Sequence, residues 1–249
     1  WMAARVDIRQ IVSESRLLPA SYFRGLNFLL NEQPDKAIEA FIEVARGNPQ
    51  TIELHFALGS LFRRRGEVER AIRMHQSLVE REDLPQDQKL QAMLELAKDY
   101  LKAGLLDRAE ELFLKLDGTP HAEAALRFLL DIYEQEKEWH KAIVIAEKLE
   151  ELNGSSLQKE IANFYCEMAA RELMQSRPAD ARPHLVQALA HHRLCVRANL
   201  LLGDVERDLG NRPAAIAAWQ RIESQNPAYL SLVAERLLKA YRDDERADE

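Results

Sequence analysis

An all-α fold of stacked helical hairpins is what this sequence predicts, and three observations predict it. Glycine and proline are sparse, at nine each in 249 residues, while Ala, Leu, Glu and Arg dominate and charged residues make up 30%. That mix favours helix. No long Val/Ile/Thr-rich alternating run marks a strand. Third, one spacing recurs: a small residue, then an alanine, then a large residue four positions on. The alanines are Ala37, Ala71, Ala109, Ala142, Ala181 and Ala215, separated by 34, 38, 33, 39 and 34 positions.

A period of 34 is that of the tetratricopeptide repeat, a pair of antiparallel helices joined by a short turn. Repeat one carries Gly25, Phe28, Ala37, Phe41 and Pro49. Repeat two has Leu58-Gly59, Phe62, Ala71 and Leu78. Repeat three has Leu96-Ala97, Tyr100, Ala109 and Phe113. Repeat four keeps Tyr133 and Ala142 but has Leu130 where a small residue is usual. Repeat five has Ala169, Ala181 and Leu185, and repeat six Leu202-Gly203, Ala215, Trp219 and Pro227. Residues 228–241 read as the first helix of a seventh unit. The longer spacings fit insertions at Asp83-Leu84-Pro85-Gln86 and Asn153-Gly154-Ser155-Ser156.

Each choice has a physical reason. The small residue of the first helix lets the second approach closely, and the alanine fills the other side of that contact. Phe41, Phe113 and Trp219 are expected in the core, because aromatics at helical spacing bury themselves. Gly66, Gly104 and Gly210-Asn211 mark the turns, and Asp107 is placed to cap a second helix. Pro49 and Pro227 end one unit before the next begins. One hairpin cannot bury its own apolar face, so stacking supplies the stability. The expected architecture is a right-handed superhelical solenoid of about six hairpins plus an extra C-terminal helix. It occupies 18–241, after a juxtamembrane or N-terminal helical segment at 1–17 and before an acidic tail at 242–249.

Charge and motif content narrow the function. Lys and Arg number 34 against 41 Asp and Glu, a net charge of −7. Nucleic-acid binding needs a basic footprint, so it is not expected here. Cys166 and Cys195 form neither a disulfide framework nor a CxxC pair, which fits a reducing compartment. No apolar run reaches the roughly 20 residues of a membrane span. Phosphate-loop, GxSxG and HExxH patterns are absent. His184, His191, His192 and Cys195 cluster in sequence but lack the companions of a metal set. The sequence thus predicts a binding protein, with no enzyme activity, cofactor or metal.

Binding is expected on the inner face lined by the first helix of each unit. In repeat register that face takes Tyr22, Leu26 and Leu29, then Glu53, Phe56, Ser60, Arg63 and Arg64. Lys98 and Lys102 follow, then Arg127, Asp131 and Glu134, and finally Arg197, Asp204 and Arg207. Its middle is basic, which suits an acidic or mixed-charge peptide. Arg63, Arg64, Lys98, Lys102 and Arg127 are the candidate partner contacts.

Several strings go beyond a generic repeat. They are Ser21-Tyr22-Phe23-Arg24-Gly25-Leu26-Asn27-Phe28-Leu29-Leu30, Phe62-Arg63-Arg64-Arg65-Gly66-Glu67-Val68 followed by His75-Gln76, Asp99-Tyr100, and Phe164-Tyr165-Cys166-Glu167. Together, over about residues 1–241, they resemble the lipopolysaccharide assembly protein B (LapB, or YciM) family. The resemblance implies an adaptor on the cytoplasmic face of the Gram-negative inner membrane. Members have one N-terminal transmembrane helix, cytoplasmic repeats and a C-terminal rubredoxin-like metal domain with paired CxxC motifs. They are implied to bring the LpxC deacetylase to the membrane protease FtsH, under restraint by PbgA (YejM). The alternative is a scaffold that gathers lipopolysaccharide biosynthesis and transport proteins without directing proteolysis. This sequence has neither the anchor nor the CxxC pairs, so it reads as a soluble fragment, and a homo-oligomer is compatible with it.

Overall fold

The structure is a computed structural model that describes residues 20–31, 33–47, 52–225 and 227–245. Among these, thirteen α-helices and one short 3-10 turn alternate with no strand. The helices are α1 (Ala20–Leu30), α2 (Pro34–Gly47), α3 (Ile52–Arg64), α4 (Val68–Val79), α5 (Gln86–Lys102), α6 (Leu106–Leu114) and α7 (Ala122–Glu136). They continue as α8 (Trp139–Asn153), α9 (Gln158–Met174), α10 (Pro178–His191), α11 (Val196–Asp208), α12 (Arg212–Gln225) and α13 (Leu230–Glu245), with the 3-10 turn at Pro227–Tyr229. Residues 1–17 and 246–249 lie outside the described residues, and α13 runs through Glu245.

Two compact units divide within α7, after Ala125. In the first, α1 packs on α2, α3 on α4 and α5 on α6, and the first helices α3 and α5 touch. In the second, α9 packs on α10 and α11 on α12, α9 touches α11, and α13 rests on α12. These are the expected hairpins, followed by the single helix α13.

The hairpin contact is built as its residue sizes demand. Gly25 faces the ring of Phe41, Gly59 that of His75 and Gly203 that of Trp219; a methyl group on any of these glycines would overlap the ring. Each partner lies sixteen positions on (25 to 41, 59 to 75, 203 to 219). In repeat two the large residue against the glycine is therefore His75. Leu78, one turn later, is buried separately with Leu84 and Ala92. All six repeat alanines are buried, as are Phe41, Phe113 and Trp219. Repeat four inverts the sizes, with Leu130 at the small position and fully buried Ala146 sixteen on.

One device closes the turn within each hairpin. The residue five before each alanine from repeat two onward has a left-handed backbone: Gly66, Gly104, Lys137, Ser176 and Gly210, at φ between 58° and 79°. The next N–H reaches back to the carbonyl five positions earlier, as from Glu67 to Phe62 at 2.9 Å, Arg177 to Glu172 at 3.0 Å and Asn211 to Glu206 at 2.8 Å. This is the Schellman closure, which satisfies carbonyls left over at a helix end. Helices α4, α6, α8 and α10 then start without side-chain caps. Asp107 sits inside the first turn of α6, whose N-cap is Leu105, so it complements the helix dipole rather than capping.

Candidate partner-binding surface

In the first unit, α3 and α5 bring four of the candidate residues into one region. Arg63, near the end of α3, reaches across to α5. Its Nη1 donates to Asp99 Oδ1 at 2.7 Å and its Nη2 to Glu95 Oε2 at 2.5 Å. Lys98 donates to the other oxygen of Glu95 at 2.7 Å. Asp99 is fully buried and its second oxygen accepts from His75 Nδ1 at 2.5 Å. The result is a continuous chain from α4 through α5 to α3: His75, Asp99, Arg63, Glu95, Lys98.

Burial disfavours both charges at the centre of this chain, but the hydrogen bonds outweigh it. Arg63 is raised above its ordinary pKa by bonding to Glu95 and Asp99. Glu95 is held below the ordinary carboxylate range by Lys98 and Arg63. Two of the candidate cations are therefore occupied with carboxylates that the repeat pattern gave no reason to single out. Arg64 and Lys102, at the C-terminal ends of α3 and α5, are exposed and make no ion pair among the described residues. Glu53 is exposed beside partly buried Phe56 and Ser60. The side chains of Tyr22, Leu26 and Leu29 lie outside the described residues.

The second unit carries the rest. Arg127 is exposed on α7 and is engaged with a neighbouring group. Asp131 and Glu134 follow on the same helix. Partial burial, then the charges of Asp131 and Glu160, raise the pKa of Glu134. Arg197 pairs with Glu167 at 2.7 Å. Asp204 accepts from Arg207 at 3.3 Å and from Arg236 of α13 at 2.8 Å. The first-helix residues of this unit thus present mixed charge, much of it paired between neighbouring helices.

Among the described residues, no group of three or more His, Cys, Asp or Glu side chains is arranged to hold a metal ion. His191 bonds Gln158 at 2.9 Å and stacks on Tyr165. Cys166 and Cys195 are buried free thiols in one core cluster. Their mutual hydrogen bond lowers the pKa of Cys195 to about 6, with backbone N–H groups of α11 assisting, and raises that of Cys166. No described helix is long and apolar enough to cross a membrane.

The sequence reading missed His75, Glu95 and Asp99. A signal was present: a histidine at the position where repeats one, three and six have Phe or Trp, with an acid 24 residues on (75 to 99).

Comparison with known proteins places this surface in context. The tetratricopeptide-repeat family model matches residues 24–81 and 167–229. Lipopolysaccharide assembly protein B of Escherichia coli K12 is 39% identical over 243 residues, which cover 97% of this chain and 62% of the relative. The Haemophilus influenzae protein of that name is 37% identical over 243 residues, covering 94% and 61%. This chain thus spans about three-fifths of the length of these curated relatives. Among solved structures, the C-terminal part of a repeat-containing protein from Cytophaga hutchinsonii superposes with a TM-score of 0.50 at 11% identity, over 88% of this chain and 84% of that one, a likeness of fold alone. With repeat hairpins among its described residues and 39% identity over 97% of its length, the chain is a tetratricopeptide-repeat relative of lipopolysaccharide assembly protein B.

Proposed function

We propose that this chain is the adaptor part of a regulator of lipopolysaccharide synthesis, and that it has no catalytic role of its own. Its 39% identity to lipopolysaccharide assembly protein B over 97% of the chain is the observation that supports this. The proposed task is to present the LpxC deacetylase to the membrane protease FtsH at the cytoplasmic face of the inner membrane, with PbgA (YejM) as the restraining partner. Holding a substrate beside a protease turns a bimolecular encounter into a local one, which raises the effective concentration without new chemistry.

Arg64 and Lys102 are the exposed cations proposed to meet the partner first. Arg63 and Lys98 would act through the paired carboxylates, and Arg127 from the second unit. Steering by rim charges appears in the association rate and weakens with salt. The test is direct binding of purified chain to LpxC across a salt series, with FtsH degradation of LpxC followed in parallel. Saturable, salt-sensitive binding that accelerates degradation is the expected result. Binding without faster degradation would favour a scaffold that does not direct proteolysis, and absence of binding would overturn recognition by the repeats.

A further inference from the structure

At the end of the second unit, α11, α12 and α13 enclose a cleft of about 650 Å³. That volume is in the range of ligand sites. Arg207, Arg212, Arg236 and Lys239 line it with a single carboxylate, Glu235. The half-exposed side chain of Leu232 gives it an apolar side, with only the edge of the otherwise buried Trp219 reaching the cleft. In a chain of net charge −7, four cations around one opening stand out.

The ion pairs account for part of that charge. Asp204 holds Arg207 and Arg236 together, and Asp208 takes Arg207 at 2.9 Å. Arg212 is engaged with a neighbouring group as well. The remaining donors are directional. Arg236 uses Nε on Asp204 and Nη1 on the carbonyl of Leu232 at 2.6 Å. Its Nη2 and the Lys239 ammonium, one turn apart on α13, have no acceptor among the described residues. A guanidinium pinned by one carboxylate, beside an unpaired ammonium, is pre-oriented for a second carboxylate.

We propose that this cleft binds an acidic peptide segment, with a leucine-like side chain against Leu232 and its carboxylates on Arg236 and Lys239. The site stands apart from the adaptor reading and from the cations of the first unit. A bare anion would leave the apolar side unfilled, and the acidic chain as a whole does not favour a nucleic acid.

The test titrates the whole chain into a short fluorescein-labelled peptide of glutamate and leucine, reading anisotropy. A lysine–leucine peptide, inorganic phosphate as competitor, and phosphatidylglycerol vesicles run in parallel. The expected result is saturable binding of the acidic peptide only, weakened by salt and reduced about tenfold by Lys239→Glu, a rim-charge reversal. Lys239 is exposed and Asp204 keeps its partners, so this variant retains its fold, checked by circular dichroism. Arg236→Gln, which keeps hydrogen-bonding capacity, is expected to lose less. Equal binding by wild type and Lys239→Glu would overturn the proposal. So would full displacement by phosphate, or capture by anionic vesicles with no peptide binding.

Discussion

At the residue scale, the chain from His75 to Lys98 is the least expected feature of the fold. Every other glycine-facing position here holds an aromatic ring, and His75 brings a polar one that needs a partner. Asp99 supplies it, and Arg63 then balances Asp99. His75 Nε2 stays buried without a hydrogen bond, against Gly59. Removing one member of a buried charged set leaves the others uncompensated, at a cost of about 3–5 kcal/mol. Asp99→Ala is therefore expected to lower the unfolding free energy obtained from urea denaturation by that amount. Replacing His75, Asp99 and Arg63 together by Phe, Leu and Met is expected to recover most of the loss. If the triple variant is no more stable than Asp99→Ala, the three do not act as one set.

Glu95 adds a pH dependence with a definite sign. Its folded pKa lies below its unfolded value of about 4.3. The unfolded chain thus binds the proton more readily, and stability falls as the solution is acidified. The contribution is fully present above that unfolded value and is lost as pH falls through the lower folded one. Glu95→Gln is expected to flatten this acid limb in denaturation curves taken from neutral pH downward, while an unchanged limb would remove Glu95 as its cause.

At the element scale, the hairpin turn is where sequence and backbone disagree twice. The left-handed position is glycine in three of the five described turns that follow repeat one, but Lys137 and Ser176 in the others. A side chain there costs roughly 1–2 kcal/mol of steric strain, part of which glycine's greater unfolded entropy returns. Ser176→Gly is expected to raise stability by about 0.5–1 kcal/mol, readable by thermal denaturation. A loss of stability would mean that the serine side chain contributes more than its backbone costs.

At the scale of the whole molecule, function is a matter of which charges remain available after the helices have paired their own. Arg64 and Lys102 remain so in the first unit, and Lys239 in the second. Reversing both Arg64 and Lys102 to glutamate is expected to weaken the proposed binding of LpxC by about 2- to 5-fold for each charge, from roughly 0.5–1 kcal/mol for an exposed pair. Unchanged affinity would move recognition elsewhere. The fold should not notice, because both residues are exposed.

The sequence by itself determined the hairpins. Period, alanine anchors and glycine-facing aromatics are local in register, and each can be read from size and spacing along the chain. It also carried the relationship to lipopolysaccharide assembly protein B, at 39% identity over 97% of the chain. Only the tertiary structure decided which charges are spent. Arg63 lies 32 residues from Glu95 and 36 from Asp99, so the repeat period puts them on neighbouring first helices without saying which carboxylate the guanidinium takes. The same holds for Asp204 and Arg236, 32 apart across two helices. A side chain's sign is written in the sequence, but its partner is chosen by which helices pack together, and that pairing separates a structural cation from one left to meet a ligand.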